Sequence, residues 1–320
     1  MTRVALLVDN RGWAYDTKAN ALIDNYKGNR FKFEIVGYKD DPNFISEVFA
    51  RNDYYLCFGF QNFKKCEKRH GAIRKNTLAS VASHASWDHG ETQPTNQVLP
   101  DKNTIRYLSS FKSISTVSKR LQKLFKQAGL NTYYTPNGVP TTQFTPVYEF
   151  KHSNKLVVGY AGRDRDVKKG NKTFIEPAAK QLSKKVDLKL ALCDFRKEKS
   201  IGHRGELYHD YKDMPQFYKD LDVYICMSRE EGSCRSVLEA MASGCAIIST
   251  DCGAINELIV HGKNGLIVDR NKSALVAGLV TLHRNRELVN DMKHQNREFV
   301  KNFDWSVVSS YWYKWMEETI

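Results

Sequence analysis

The chain has 320 residues, enough for one large or two medium domains each with its own core, and its 41% hydrophobic and 12% aromatic content excludes an intrinsically disordered chain. No run of 18 apolar residues exists, which excludes a membrane-spanning helix, and the opening MTRVALLVDN carries too short an apolar run, Val4 to Val8, for a signal peptide or an anchor. The net charge of +13 is uneven: residues 1–147 hold 21 Lys and Arg against 12 Asp and Glu, so nine of the thirteen excess charges lie in the first half.

Such an excess draws an anionic partner, whether phosphate, a membrane surface or nucleic acid. Its members include Lys64, Lys65, Lys68, Arg69, Arg74 and Lys75, then Lys119, Arg120, Lys123 and Lys126. In the second group Leu121, Leu124, Phe125 and Ala128 recur at helical spacing, so these cations form the solvent face of an amphipathic helix. The seven cysteines contain no CxxC pair and several sit in strand-like runs, which is reduced, cytosolic usage. Neither they nor the nine histidines show metal-ligand spacing.

From the start, short apolar runs alternate with helical patterns: Val4 to Val8, Phe31 to Val36, Tyr54 to Phe58, Leu78 to Ala82 and Ile114 to Val117. That alternation predicts a parallel sheet with crossover helices. The loop Asp9 to Ala14 follows the first strand and carries Gly12 and Trp13. A glycine there either makes the turn or lets the backbone approach a ligand at the carboxyl edge of the sheet. The run TLASVASHASWDHG ends an apolar strand at His84 and enters a polar loop with Trp87, Asp88 and His89. Strand ends are where chemistry collects, so His84 is the candidate, with His89 as the fallback. Asp88 is a base or a turn residue, and Trp13, Trp87 and Asp88 are the candidates to contact an acceptor.

The segment Thr135 to Pro146, with three prolines and a glycine, reads as a domain boundary. The second half opens with a strand, Lys155 to Tyr160, and the loop AGRDRDVKKG. Arg163 and Lys169, with Lys168 as the alternative lysine, are fixed cations suited to the negative charge on a departing diphosphate; the bland account is a solvated basic loop. A helix and the strand Val223 to Met227 lead into SREEGSCRSVLEAMASGCAIISTDCGAINELIVHGKNGLIV. Here Glu231 and Glu239 flank a short turn that opens a helix over Val237 to Ala242, closed by Ser243 and Gly244. Ser236 and Glu239 fit a capping box, and Ser233 is a competing N-cap. Either start gathers unpaired backbone N–H groups where a phosphate is attracted, and carboxylates suit sugar hydroxyls. The terminal FDWSVVSSYWYKWMEETI is an aromatic-rich helix whose rings are expected to pack.

The stretch EGSCRSVLEAMASG resembles the E-x7-E motif of retaining GT-B glycosyltransferases of the group 1, GT4-like type, and STDCGAINELIVHGKNGLIV continues the same pattern. The PNGV core of the boundary and the GR-to-KG spacing of the basic loop resemble the family as well. The resemblance implies two Rossmann-like domains, α/β in class, facing across a cleft. They would be residues 1–147 for the acceptor and 148–303 for a nucleotide sugar, with a terminal helix, 304–320, returning to the first. It implies that Glu239 binds the ribose hydroxyls, Glu231 the donor sugar, Arg163 and Lys169 the donor phosphates, that Gly12 lies over the diphosphate, and that His84 stands close to the reacting sugar. Ser233, Cys234, Arg235 and Ser236 complete the donor site, and at the first three of these the chain departs from the small or apolar residues usual there.

The function expected is that of a retaining glycosyltransferase using a UDP- or GDP-sugar without a metal cofactor. It would be cytoplasmic, with a peripheral place at the inner membrane face, acting on a cell-surface glycan or lipid-linked precursor. The alternatives are the same chemistry on a hydroxylated base in DNA and, from another class, a sugar epimerase or a non-catalytic nucleotide-sugar-binding protein.

Overall fold

The computed structural model describes residues 1–12, 14–70, 74–84, 87, 98–147, 154–163, 167–194, 199–202 and 211–320. Trp13, Asp88 and His89 lie outside the described residues. The chain forms two units, Met1–Gly138 with Trp305–Ile320, and Val139–Asp304.

In the first unit the strands β1 (Thr2–Val8), β2 (Phe31–Gly37), β3 (Tyr54–Phe58), β4 (Thr77–Val81), β5 (Ser113–Thr116) and β6 (Tyr133–Tyr134) form one sheet in the order β2-β1-β3-β4-β5-β6. Every pairing is parallel. A parallel sheet needs both faces covered, and the five apolar runs supply side chains to both. On one face Ala5, Leu7, Tyr55, Cys57, Ala79 and Val81 pack with Ile45 and Val48 of α2 (Pro42–Arg51) and with Leu121 and Phe125 of α5 (Lys119–Gln127). The cations Lys119, Lys123 and Lys126 stay on the exposed side of α5.

The terminal helix α12 (Trp305–Thr319) belongs to this unit. Trp312 and Trp315 are fully buried, and their indole N–H groups donate to the Pro136 carbonyl and to the Ser113 hydroxyl, both at 2.8 Å. Phe58 meets Trp312 edge to face, and the Lys18 ammonium stands 4.0 Å over the same indole. The aromatic residues of this helix are packing residues, as their number and spacing suggest.

In the second unit β7 (Leu156–Arg163), β8 (Val186–Asp194), β9 (Lys199–Gly202), β10 (Val223–Cys226), β11 (Ala246–Ser249) and β12 (Gly265–Ile267) form a sheet in the order β12-β11-β10-β7-β8-β9. All pairs are parallel except the edge strand β9, which runs antiparallel to β8. Period-two alternation sorts its side chains: Val223, Ile225, Ala246 and Ile248 enter one core, Tyr224, Cys226 and Ile247 the other. Arg297 of α11 (Arg286–Val300) ties three carbonyls together, Thr141 at 3.1 Å, Phe144 at 2.8 Å and Ala242 at 2.9 Å.

The order within each sheet reverses once, beside β1 in the first unit and beside β7 in the second. At such a switch point adjacent crossovers leave to opposite faces and open a crevice at the carboxyl ends of the strands. In the first unit the loop after β1 holds Gly12; in the second the loops after β7 and β10 hold Lys169 and Glu231.

Candidate active site

The two loops at the second unit's switch point are bound to each other. The Arg229 amide donates to the Lys168 carbonyl at 2.7 Å, and two ion pairs lie side by side, Lys168 with Glu230 at 2.6 Å and Lys169 with Glu231. The Ser228 hydroxyl donates to the same Glu231 oxygen at 2.7 Å. Burial alone would push the Lys169 ammonium down, but the charge and hydrogen bond of Glu231 outweigh it and hold the pKa above the ordinary range. Lys169 is therefore a permanent cation, and an anion arriving here meets a charge that does not titrate near neutrality.

Arg270, a residue that sequence reasoning did not single out, fastens this corner. Its guanidinium donates to the Met227 carbonyl at 3.0 Å, to Val167 at 2.7 Å and to Lys168 at 3.2 Å. Its only signal in the sequence is a basic residue just past the last strand, which many chains carry. Arg163 ends β7 and is exposed.

Past Glu231 the chain turns into α8 (Arg235–Ala242). The expected capping box does not form. Cys234 is the N-cap, in the left-handed region at φ 51° and with no side-chain cap bond, so the helix starts one residue before Ser236. Ser236 thus lies inside the first turn, and neither it nor Ser233 is the cap. The far end agrees with expectation, with Ser243 as C-cap and Gly244 at φ 73°.

The Glu239 carboxylate is instead held by three donors. The Tyr211 hydroxyl and Arg235 Nε both reach Oε1 at 3.0 Å, and the Tyr218 hydroxyl reaches Oε2 at 3.0 Å. The Arg235 guanidinium also lies 4.5 Å over the Tyr211 ring. Burial and then the adjacent Glu239 charge raise the pKa of both phenols, so both are fixed as neutral donors. Burial opposes the Arg235 charge, and Glu239 overcomes it. Sequence reasoning missed Tyr211 and Tyr218, because nothing local marks a tyrosine 28 or 21 residues upstream as a carboxylate partner.

The structure brings Lys169, Glu231, Cys234, Arg235, Ser236 and Glu239 to one corner of the second unit. The first unit holds His84, Trp87 and Gly12. His84 is buried, with its ring 5.6 Å from that of Trp87. Trp87 is a core side chain: it packs edge to face on Phe125, and its indole N–H donates to the Val98 carbonyl at 3.1 Å. A surface role for this ring is not what its burial provides. Gly12 is exposed at φ 76°, and its amide donates to Asp16 at 2.9 Å. Among the described residues, no group of three His, Cys, Asp or Glu side chains is arranged to hold a metal ion. Among the described residues, no helix is long and apolar enough to cross a membrane.

Residues 155–285 match the family described as glycosyl transferases group 1. The whole chain superposes on sucrose-phosphate synthase from Thermosynechococcus elongatus, with a TM-score of 0.78, 15% identity and 99% of each chain covered. The matched segment lies within the second unit, and the chain has the GT-B fold. A second neighbour of this fold is HepE of Anabaena, solved in complex with UDP-glucose, with a TM-score of 0.74 at 14% identity over 99% of this chain and all of that one. In sequence, 62% of the chain is 24% identical to 56% of the phosphatidyl-myo-inositol mannosyltransferase of Mycobacterium tuberculosis. The chain spans between about a quarter and about half the length of the curated relatives that it matches first.

Proposed function

We propose that this protein moves a sugar from a UDP- or GDP-sugar to an acceptor hydroxyl with retention of anomeric configuration, and that the second unit holds the donor. The observation that carries the reading is the Lys169–Glu231 pair at the sheet's switch point, next to the start of α8 whose cap supplies no side-chain acceptor. A carboxylate and a permanent cation in contact suit a ligand that presents hydroxyls beside phosphates. Glu231 receives the donor sugar's hydroxyls and Glu239 the ribose. Lys169 and Arg163 face the diphosphate, together with backbone N–H groups at the helix start, to which Ser233, Cys234, Arg235 and Ser236 contribute.

As the bond from the anomeric carbon to the phosphate oxygen lengthens, charge grows on that phosphate. Lys169 and Arg163 stabilise it, at about 2–4 kcal/mol for each well-placed donor. No metal is assigned to this step. The acceptor oxygen bonds to the same face of the anomeric carbon, and its proton passes to the departing diphosphate, so no separate carboxylate base is needed. His84 and Gly12 of the first unit are assigned to the reacting sugar and the diphosphate, and Trp13 and Asp88 to the acceptor.

The acceptor proposed is a cell-surface glycan or lipid-linked precursor at the cytosolic face of a membrane. A mannosyltransferase relative named for a phosphatidyl-inositol acceptor and the basic first half support it. Glu231→Gln keeps the shape of the side chain but removes the charge, and turnover of the donor is expected to fall about a hundredfold. A fall of less than threefold would remove Glu231 from the reaction.

A further inference from the structure

We infer that the Tyr211 hydroxyl stands in for a ribose hydroxyl on Glu239 in the donor-free protein, and that the donor must displace it to bind. The inference rests on the assignment of the second unit to the donor nucleotide. An ionised carboxylate has about four lone-pair sites, two on each oxygen. On Glu239 three are taken: Oε1 by Tyr211 and Arg235, Oε2 by Tyr218, all at 3.0 Å. A ribose brings two vicinal hydroxyls, both able to donate, and one site remains. One of the three donors has to withdraw.

The surroundings select which. Tyr218 is fully buried, its ring set among Phe144, Phe217 and Tyr224, and its own carbonyl accepts from the Cys245 thiol. Arg235 sits one turn before Glu239 on the same helix, and the two charges compensate each other in a nearly closed site. Removing it would leave Glu239 without its counter-ion, which costs several times what a neutral hydrogen bond contributes. Tyr211 is the remaining donor: uncharged, partly exposed, and carried by the three-residue turn Tyr211–Asp213 instead of a strand or long helix. Its oxygen lies on the ring axis, so withdrawal is an outward swing of the whole side chain about Cα–Cβ, which gives up ring contacts with Phe144 and the Arg235 guanidinium that are made at one edge of a partly exposed residue.

The consequence is a nucleotide affinity set by competition. Part of the ribose's interaction with Glu239 replaces a bond that the protein already makes, so the phenol weakens the donor it neighbours and favours release of the spent nucleoside diphosphate. An empty Glu239 would bind tighter and release more slowly.

The test is calorimetric titration of the full chain with UDP and with GDP, each beside its 2′,3′-dideoxy analogue, for wild type and Tyr211→Phe. The variant keeps the ring and removes only the hydroxyl. The expected result is that the ribonucleotide that binds does so about fivefold more tightly to Tyr211→Phe, while its dideoxy analogue binds both proteins equally. Should that variant fail to fold, Tyr211→Leu carries the same expectation as a widened ribose-to-dideoxyribose affinity ratio. Weaker or unchanged ribonucleotide binding, or equal tightening of both analogues, overturns the inference and leaves the donor site standing. If neither UDP nor GDP binds the wild type, the donor assignment falls and takes the inference with it.

Discussion

Glu239 is the residue on which this corner of the second unit is built, because three hydrogen-bond donors converge on a residue that is only 5% exposed. Glu239→Ala leaves two phenols and a guanidinium facing one another without their acceptor. A loss of about 3 kcal/mol in unfolding free energy is expected by denaturant titration, together with loss of nucleotide binding. A variant as stable as wild type would mean that the network holds nothing in place. The charged residues assigned to the donor, Glu231 and Glu239 from the E-x7-E spacing and Lys169 from the basic loop, could be named from the sequence because that assignment rests on charges at fixed spacing. Tyr211, Tyr218 and Arg270 could not, since each acts through a partner brought near only by the fold. The capping box was misread for a related reason. Ser236 and Glu239 have its spacing, but a left-handed Cys234 starts the helix early, and Glu239 has stronger partners than the amide near Ser236.

At the level of the elements, the site depends on two tight approaches of backbone to side chain. Gly170, at φ 75°, joins the Lys169 loop to the π-helical turn Asn171–Ile175, and a Cβ there would meet the Met227 carbonyl and the Phe174 ring at 2.8 Å. Gly253, at φ 52°, lies under the Glu231 turn, where a Cβ would come within 2.6 Å of the Gly232 carbonyl and 2.8 Å of Glu231 Cβ. Either glycine to alanine is expected to cost about 2 kcal/mol from strain and overpacking. Gly253→Ala is also expected to lower turnover at least tenfold, because it pushes on Glu231; a stable, fully active Gly253→Ala would refute that placement. Most strands were readable to within a residue or two, since apolar runs of four to eight residues are what a two-sided parallel sheet requires; β7 runs on to Arg163, three residues past its expected end, and β8, whose apolar residues are interrupted by Asp187 and Lys189, was not singled out. The antiparallel edge strand β9 and the two-residue β6 lack such runs and left no pattern to read.

For the whole molecule, the buried thiols tie stability to pH. Burial pushes the Cys245 thiol up to about 12, and burial likewise raises Cys57 and Cys234. A group with a raised folded-state pKa contributes stability that is complete below its unfolded value, about 8.5 for a thiol, and is lost as pH rises beyond it. Unfolding free energy is therefore expected to decline steadily above about pH 8.5, and less steeply in Cys245→Ala; a flat profile to pH 10 would contradict this. The uneven charge of the chain also belongs to this scale, since binding of the basic first half to an anionic surface should weaken as salt rises. The measurement that bears most directly on the account is turnover of a panel of UDP- and GDP-sugars against membrane glycolipid extract and against hydroxymethylated duplex DNA, reading nucleotide release, product mass and anomeric configuration together. The account predicts release coupled to transfer onto the lipid pool, with the donor's configuration retained. Transfer to DNA would reassign the acceptor, and absence of nucleotide release with every donor, or an inverted product, would contradict the mechanism itself.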